Sequence, residues 1–124
     1  MLRDLEPIMA YYGRLARVQD HVRAHLSDRL ALAEGARVAA CDPNYFSAWF
    51  HNCVGMTFSR WVKCMRVSQA CAIMRTSDAT ISEVAEAVGF RSVRTLDRAF
   101  STLIGLPPLE YKLLVRPQGS SKSS

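Results

Sequence analysis

Polar side chains, two of them long arginines, recur at helical spacing near the end of this chain. Arg94, Asp97, Arg98 and Ser101 are separated by one, three or four residues, so they share one face if the segment is an α-helix. Such a face can present polar groups to the edges of DNA bases while an apolar stripe on the other side fixes the helix in place. On an isolated helix, the same face would be interpreted as solvated, with Asp97 as a local partner of the arginines.

An internal repeat supplies the context of this helix. Residues 81–89 (ISEVAEAVG) match residues 32–40 (LAEGARVAA) in their apolar and small positions at an offset of 49, and one inserted residue makes the offset 50 after the turn. Each copy is predicted to be a short helix, a tight turn and a second amphipathic helix. This is the layout of a helix-turn-helix, which places its second helix in the DNA major groove. In that context, with Arg91 just before the helix, DNA contact is the favoured interpretation.

Periodicity and capping residues predict an all-α chain of about seven helices. Residues 1–10 are expected to form an N-terminal arm, 11–116 the folded domain and 117–124 a disordered Gly/Ser-rich tail. The first two helices are predicted at about 11–26 and 33–39. Later helices are expected to begin after the capping residues Asp42, Thr57, Thr80 and Ser92 and at Pro107-Pro108, with a long helix reaching about residue 75.

The turn of the second copy requires small residues. Ala85 lies where the two helices of the motif are expected to cross closely, and Gly89 suits the positive φ of a turn that ends a helix. The predicted core of this copy consists of Val84, Val88, Phe90, Leu96, Phe100 and Leu103.

Charge and composition narrow the class of protein. The net charge of +5 agrees with a nucleic-acid partner but does not establish one. No segment has the apolar length of a signal peptide or of a membrane span, so a cytoplasmic location without membrane contact is expected. The sequence contains no paired carboxylates, no nucleophile and base at interpretable spacing, and no phosphate-binding glycine loop. These features predict a protein that is not an enzyme.

Metal and cofactor sites are not expected. Cys41, Cys53, Cys64 and Cys71 match no zinc-site spacing and are predicted to be buried thiols, although Cys64 and Cys71 share a helix face that leaves a redox role open. Two histidines at positions 21 and 25 are one helical turn apart, but no further ligand visibly completes a metal site. An ordinary polar helix face is the favoured interpretation of the histidine pair.

The second copy and the segment after it closely resemble the signature of the AraC/XylS family of bacterial transcription regulators. The matching residues are Ile81 through Gly89-Phe90, Ser92, Leu96, Arg98, Phe100, Gly105, Pro107-Pro108 and Tyr111. The first copy and the connecting helix match at Leu30, Leu32, Ala36, Pro43, Phe50, Gly55, Phe58, Arg66 and Ala70. The resemblance covers about residues 11–116. It implies a seven-helix DNA-binding domain with two helix-turn-helix subdomains joined by a long connecting helix.

The resemblance also implies which residues meet DNA. Base or backbone contacts are expected from helix three, through Asn44, Ser47, Ala48 and His51, and from helix six, through Arg94, Asp97 and Arg98. Arg60, Lys63 and Arg66 on the connecting helix are candidate phosphate contacts, although one or more could be structural ion-pair partners. Arg91 is a further candidate phosphate contact. A connecting helix of about 18 residues is roughly 27 Å long, comparable with the roughly 34 Å between successive major grooves. One monomer is therefore expected to contact two adjacent grooves.

The first copy departs from the family pattern. Gly35 replaces a helix-favouring apolar residue, which should cost about 1 kcal/mol before any lost packing. Ala40 replaces the turn glycine, and Ala31 stands where the second copy has a capping residue. Ala48 offers only a methyl group where a long polar side chain is common in the family. We therefore expect a less stable first motif, with helix six supplying most of the base discrimination.

The expected function is sequence-specific regulation of transcription, with activation through RNA polymerase the commoner outcome in the family. Many family members carry a separate effector-binding or dimerisation domain, which is not expected within this sequence because only about ten residues precede its first predicted helix. The sequence leaves open a stand-alone regulator and the DNA-binding part of a longer one. The alternative function is a protein-interaction module on a degenerate helix-turn-helix, which would bind DNA weakly and without sequence preference.

Overall fold

Seven α-helices form the regular structure of residues 2–115, the part of the chain that the computed structural model describes. They are α1 (Leu2–Ala24), α2 (Leu32–Val38), α3 (Pro43–Val54), α4 (Phe58–Thr76), α5 (Ile81–Val88), α6 (Val93–Ile104) and α7 (Pro108–Val115). The all-α prediction is confirmed. Helix α1 includes most of the predicted arm, because the leucine, arginine and glutamate residues there favour a helix. The predicted tail at 117–124 lies outside the described residues.

Side-chain caps begin four of the helices where they were predicted. Asp42, Thr57, Thr80 and Ser92 each accept a hydrogen bond from a backbone N–H in the following turn, at 3.0–3.2 Å. Glu83 completes the capping box of α5 by accepting from the Thr80 backbone N–H at 2.8 Å. Each such cap contributes about 1 kcal/mol. Local sequence therefore determines where α3, α4, α5 and α6 begin.

The chain divides into two compact units that each contain one helix-turn-helix. The first unit contains α1, α2, α3 and the start of α4, and the second contains the rest of α4, α5, α6, α7 and the segment Leu26–Arg29. The helix-turn-helix pairs are α2 with α3 and α5 with α6.

Aromatic rings form the core of the first unit. The Phe46 and Phe50 rings each lie 5.3 Å from Phe58 in edge-to-face contact, and all three side chains are buried. Gly35 is buried against this cluster: a Cβ added there would lie 2.8 Å from the Phe46 ring and 3.0 Å from Phe58. The expectation of lost packing at Gly35 is therefore wrong, because the rings occupy the space that an apolar side chain would fill.

Substitution of Gly35 by alanine is expected to destabilise the first unit. Overpacking against Phe46 and Phe58 costs about 1–3 kcal/mol, which exceeds the gain of about 1 kcal/mol in helix propensity. Gly13→Ala in α1 is the matched control, because its nearest contact would be Arg17 at 3.9 Å and only the propensity gain applies. Urea unfolding should show that the free energy of unfolding decreases in Gly35→Ala and increases in Gly13→Ala. A stabilised Gly35→Ala variant would contradict the packing described here.

The turn of the first motif keeps its geometry without glycine. Ala40 has a φ of +57°, and it is the only non-glycine residue with positive φ among the described residues. The Cys41 N–H donates to the Ala36 carbonyl at 3.0 Å, as the Phe90 N–H donates to Ala85 at 2.9 Å in the second motif. Ala40 thus holds the left-handed conformation that Gly89 adopts without a side chain.

We expect Ala40→Gly to stabilise the first unit. Removal of the Ala40 side chain relieves a left-handed strain of about 1–2 kcal/mol. Glycine loses more backbone freedom on folding than alanine does, so the net increase in the free energy of unfolding is about 0.5–1 kcal/mol. Ala33→Gly, at an exposed position within α2, should instead lose about 1 kcal/mol. The urea unfolding midpoints of the two variants, compared with that of the parent protein, test whether Ala40 is strained. Equal losses in both variants would show that Ala40 is unstrained.

Aliphatic side chains dominate the core of the second unit. Val84, Val88, Leu96 and Phe100 have no exposed surface, while the predicted core residue Leu103 is only partly buried. The Phe100 ring packs edge-to-face on Tyr111 of α7 at 5.3 Å. This core fixes α6 by one face and leaves the other face exposed.

Candidate nucleic-acid interface

Helix α6 exposes the polar face that its spacing predicted. Arg94, Asp97 and Arg98 are exposed, and Ser101 is half-buried. Among the residues that the structure describes, neither arginine forms an ion pair with Asp97, whose carboxylate accepts only a long 3.5 Å hydrogen bond from the Ser101 hydroxyl. The interpretation of Asp97 as a local partner of the arginines is therefore not supported. Both guanidinium groups are available to an external acceptor.

Helix α3 exposes the equivalent face of the first unit. Its predicted contact residues, all of them exposed, are Asn44, Ser47, Ala48 and His51. At the repeat offset of 50 these positions correspond to Arg94, Asp97, Arg98 and Ser101. The buried side of α3 carries Phe46, Trp49 and Phe50. In each unit, the second helix of the motif therefore has an exposed face of polar or small residues. The contacts of these residues with DNA stay predictions.

The candidate phosphate-binding residues separate into two groups. Arg60, Lys63 and Arg91 are exposed. Arg66 is half-buried, and its guanidinium donates to the backbone carbonyls of Leu26 at 3.2 Å and Asp28 at 2.8 Å.

Arg66 therefore has a structural role within the second unit. Burial lowers the pKa of its guanidinium, which stays charged at neutral pH because arginine titrates far above that range. The sequence had offered phosphate contact or an ion pair for this residue, and the structure shows hydrogen bonds to carbonyl groups instead. Phosphate contact by Arg66 stays a prediction that would depend on its remaining donors.

The histidine pair belongs to a polar network in the first unit. The His21 and His25 rings stack at 4.2 Å, and His21 Nε2 lies 2.8 Å from a carboxylate oxygen of Glu34. Arg37 donates to the same oxygen at 2.8 Å, and this hydrogen bond, aided by His21, lowers the pKa of Glu34. Within residues 12–115, no group of three histidine, cysteine, aspartate or glutamate side chains could hold a metal ion. The network links α1 to α2.

The cysteines are less uniformly buried than the sequence predicted. Cys71 is buried, and burial raises the pKa of its thiol, which therefore stays protonated at neutral pH. The other three cysteines are only half-buried. Cys64 and Cys71 line a cleft of about 500 Å³ in the second unit, beside Leu103 and Tyr111.

One exposed residue escaped the sequence analysis. Tyr45 is 57% exposed although it lies on α3 beside three buried aromatic residues. An aromatic residue within such a run is usually assigned to the core, which explains the omission. The signal that could have identified it is the repeat, because the equivalent position in α6 is the polar, exposed Thr95.

Comparisons with known proteins identify the architecture. Residues 35–113 match the family described as "Helix-turn-helix domain". The crystal structure of the DNA-binding domain of AdpA, a global transcriptional factor in complex with a target DNA, superposes with a TM-score of 0.77 at 30% identity, covering 81% of this chain and 90% of that chain. The residues that the structure describes include no helix with the length and apolarity needed to span a membrane.

Curated relatives are also named as regulators of this helix-turn-helix type or as operon regulators. The uncharacterized HTH-type transcriptional regulator YobQ of Bacillus subtilis is 27% identical over 92 residues, which are 74% of this chain and 38% of that protein. The F1 operon positive regulatory protein of Yersinia pestis is 29% identical over 70 residues, 56% of this chain and 23% of that protein. The chain spans less than half the length of these relatives.

Proposed function

This chain belongs to the AraC-type helix-turn-helix family of DNA-binding transcriptional regulators, and we propose that it recognises two adjacent major-groove segments of promoter DNA. It is a DNA-binding regulator and not an enzyme. The observation that carries the proposal is the pair of exposed faces on α3 and α6, each on the opposite side of its helix from a stripe of buried side chains. Capping of both helices at their first turn supports rigid presentation of these faces.

Helix α6 provides most of the base discrimination in this proposal. Two exposed arginines and an exposed aspartate can form hydrogen bonds with base edges, whereas the equivalent positions of α3 carry the shorter Asn44, Ala48 and Ser47. Arg60, Lys63 and Arg91 contribute contacts with phosphate oxygens. Such contacts position the protein and make binding dependent on salt, without selecting a sequence.

Removal of one phosphate contact should weaken binding to all DNA sequences alike. We expect Arg60→Ala to reduce the slope of log K against log salt concentration by about 1. Arg23→Ala is the control, because it removes the same charge from an exposed residue of α1 that pairs with Asp20 at 3.6 Å. Fluorescence anisotropy with specific and random duplexes measures both slopes. Equal slopes for the two variants would remove Arg60 from the phosphate-contacting set.

Activation of transcription in the cytoplasm, through contact with RNA polymerase, is the proposed outcome of binding. The name of the Yersinia pestis relative, a positive regulatory protein, supports this direction. Transcription in vitro from a bound promoter tests it. An increase in transcript on addition of the protein supports activation, whereas a decrease would assign a repressor.

Selection of bound fragments from a genomic DNA pool tests the DNA-reading function. About 150 mM salt suppresses non-specific binding, so the retained fragments report base contacts. Enrichment of a motif with two blocks is the expected result. Without any enriched motif, the chain would be a protein-interaction module or would require a further region to bind specifically.

A further inference from the structure

We propose that the two motifs recognise different base pairs: α6 recognises G·C pairs, while α3 recognises A·T pairs, with Tyr45 as a further base-contacting residue. This inference rests on the proposed function, since it concerns the DNA that the same two helices contact. It specifies the composition of the target site and assigns each half to one helix.

The side chains of α6 match the hydrogen-bonding groups of a G·C pair. Arginine donates two hydrogen bonds to guanine O6 and N7, and aspartate accepts from the cytosine amino group. Arg94 and Arg98 are exposed, and neither has an ion-pair partner within residues 12–115. Asp97 lies between them in sequence. Both strands of a G·C pair can therefore be recognised from this one face.

The exposed face of α3 has a different chemical character at its centre. With about 100° of rotation per residue, the exposed arc runs from Ser47 to Tyr45, and Ala48 lies near its middle. The equivalent central position of α6 is Arg98. A methyl group cannot form a hydrogen bond with a base, but it can pack against the C5 methyl of thymine.

Tyr45 extends this apolar surface. It lies three residues before Ala48, so the two side chains are neighbours on the helix surface. Tyr45 remains 57% exposed although the neighbouring Phe46 and Trp49 are buried. A large exposed aromatic residue beside a small apolar one forms a surface suited to methyl groups. Asn44, one turn before Ala48, can form two hydrogen bonds with the adenine that pairs with such a thymine.

Base analogues in the selected site test this assignment. Uracil in place of thymine removes only the C5 methyl, and 7-deazaguanine in place of guanine removes only the N7 acceptor. Burial of one methyl predicts about a fourfold loss of affinity for uracil at one or more positions of one block. Loss of an arginine hydrogen bond predicts about a tenfold loss for 7-deazaguanine in the other block.

Variants then assign each block to its helix. Tyr45→Ala should reduce the sensitivity to uracil and leave the sensitivity to 7-deazaguanine unchanged, whereas Arg98→Ala should remove the sensitivity to 7-deazaguanine at one guanine and leave the sensitivity to uracil unchanged. Both residues are exposed, so both variants should keep the thermal unfolding midpoint of the parent protein.

The outcomes separate this inference from the proposed function. If the protein selects a motif but tolerates uracil at every position, the assignment of α3 is wrong while DNA reading stands. If Tyr45→Ala leaves the uracil effect intact, the base contact assigned to Tyr45 is wrong. If both analogues act through the same helix, the division between the motifs is wrong. If no motif is selected at all, the proposed function fails and this inference fails with it.

Discussion

Replacement of Gly89 by alanine is expected to destabilise the second unit by about 2–5 kcal/mol, a large part of the roughly 5–15 kcal/mol by which a typical domain is stable. Gly89 has a φ of +94°, where a side chain costs about 1–2 kcal/mol. The larger effect is steric, because a Cβ at this position would lie 2.1 Å from the Leu26 carbonyl oxygen and 3.0 Å from Arg66 Nε. Backbone cannot move aside as a flexible side chain can. The variant should also lose DNA binding, since α6 follows directly.

Gly105→Ala separates the two contributions to this loss. Gly105 ends α6 with a φ of +90°, but a Cβ there would have nothing within 4 Å. We therefore expect only the strain of about 1–2 kcal/mol in this variant. Urea unfolding of each single variant measures how much more stability Gly89→Ala loses than Gly105→Ala does. Equal losses at the two glycines would show that the contact between the turn and Leu26 is unimportant.

The double variant Arg94→Ala/Arg98→Ala is expected to lose most sequence discrimination. Each bidentate arginine–guanine contact contributes about 1–3 kcal/mol, so the pair accounts for about 2–6 kcal/mol between the preferred site and random DNA. Because both side chains are exposed, the free energy of unfolding should be unchanged. Competition between the selected site and random duplex, at constant salt, measures the ratio of affinities.

Asn44→Ala provides the comparison from the first motif. It removes one polar side chain from the equivalent position of α3 and should reduce the ratio of affinities by less than the double variant does. If discrimination survived in Arg94→Ala/Arg98→Ala and disappeared in Asn44→Ala, α3 would be the main reading helix. The proposed dominance of α6 would then be wrong.

Features that depend on neighbouring residues could be predicted from the sequence. The Thr80–Glu83 capping box and the Ser92 cap form between residues three apart, so local pattern was sufficient to place them. The repeat likewise predicted the polar faces of α3 and α6, because helical spacing determines which residues share a side.

Features that depend on distant contacts could not be predicted. The carbonyl groups that Arg66 binds belong to residues about 40 positions away, and nothing in the local pattern points to them. Gly35 was judged by helix propensity and by the apolar side chain that it lacks, since its fit against Phe46 and Phe58 exists only in the folded core. Tyr45 was hidden among aromatic residues whose burial depends on the same core.

Hydroxyl-radical footprinting of the protein on its selected site tests the central claim most directly. If both helices enter adjacent major grooves, the footprint of a single bound chain should show two protected blocks about one helical turn apart, or roughly 10 base pairs. Tyr45→Ala and Arg98→Ala should each weaken a different block. A single protected block, or uniform weak protection without sequence dependence, would contradict the reading of DNA by both motifs.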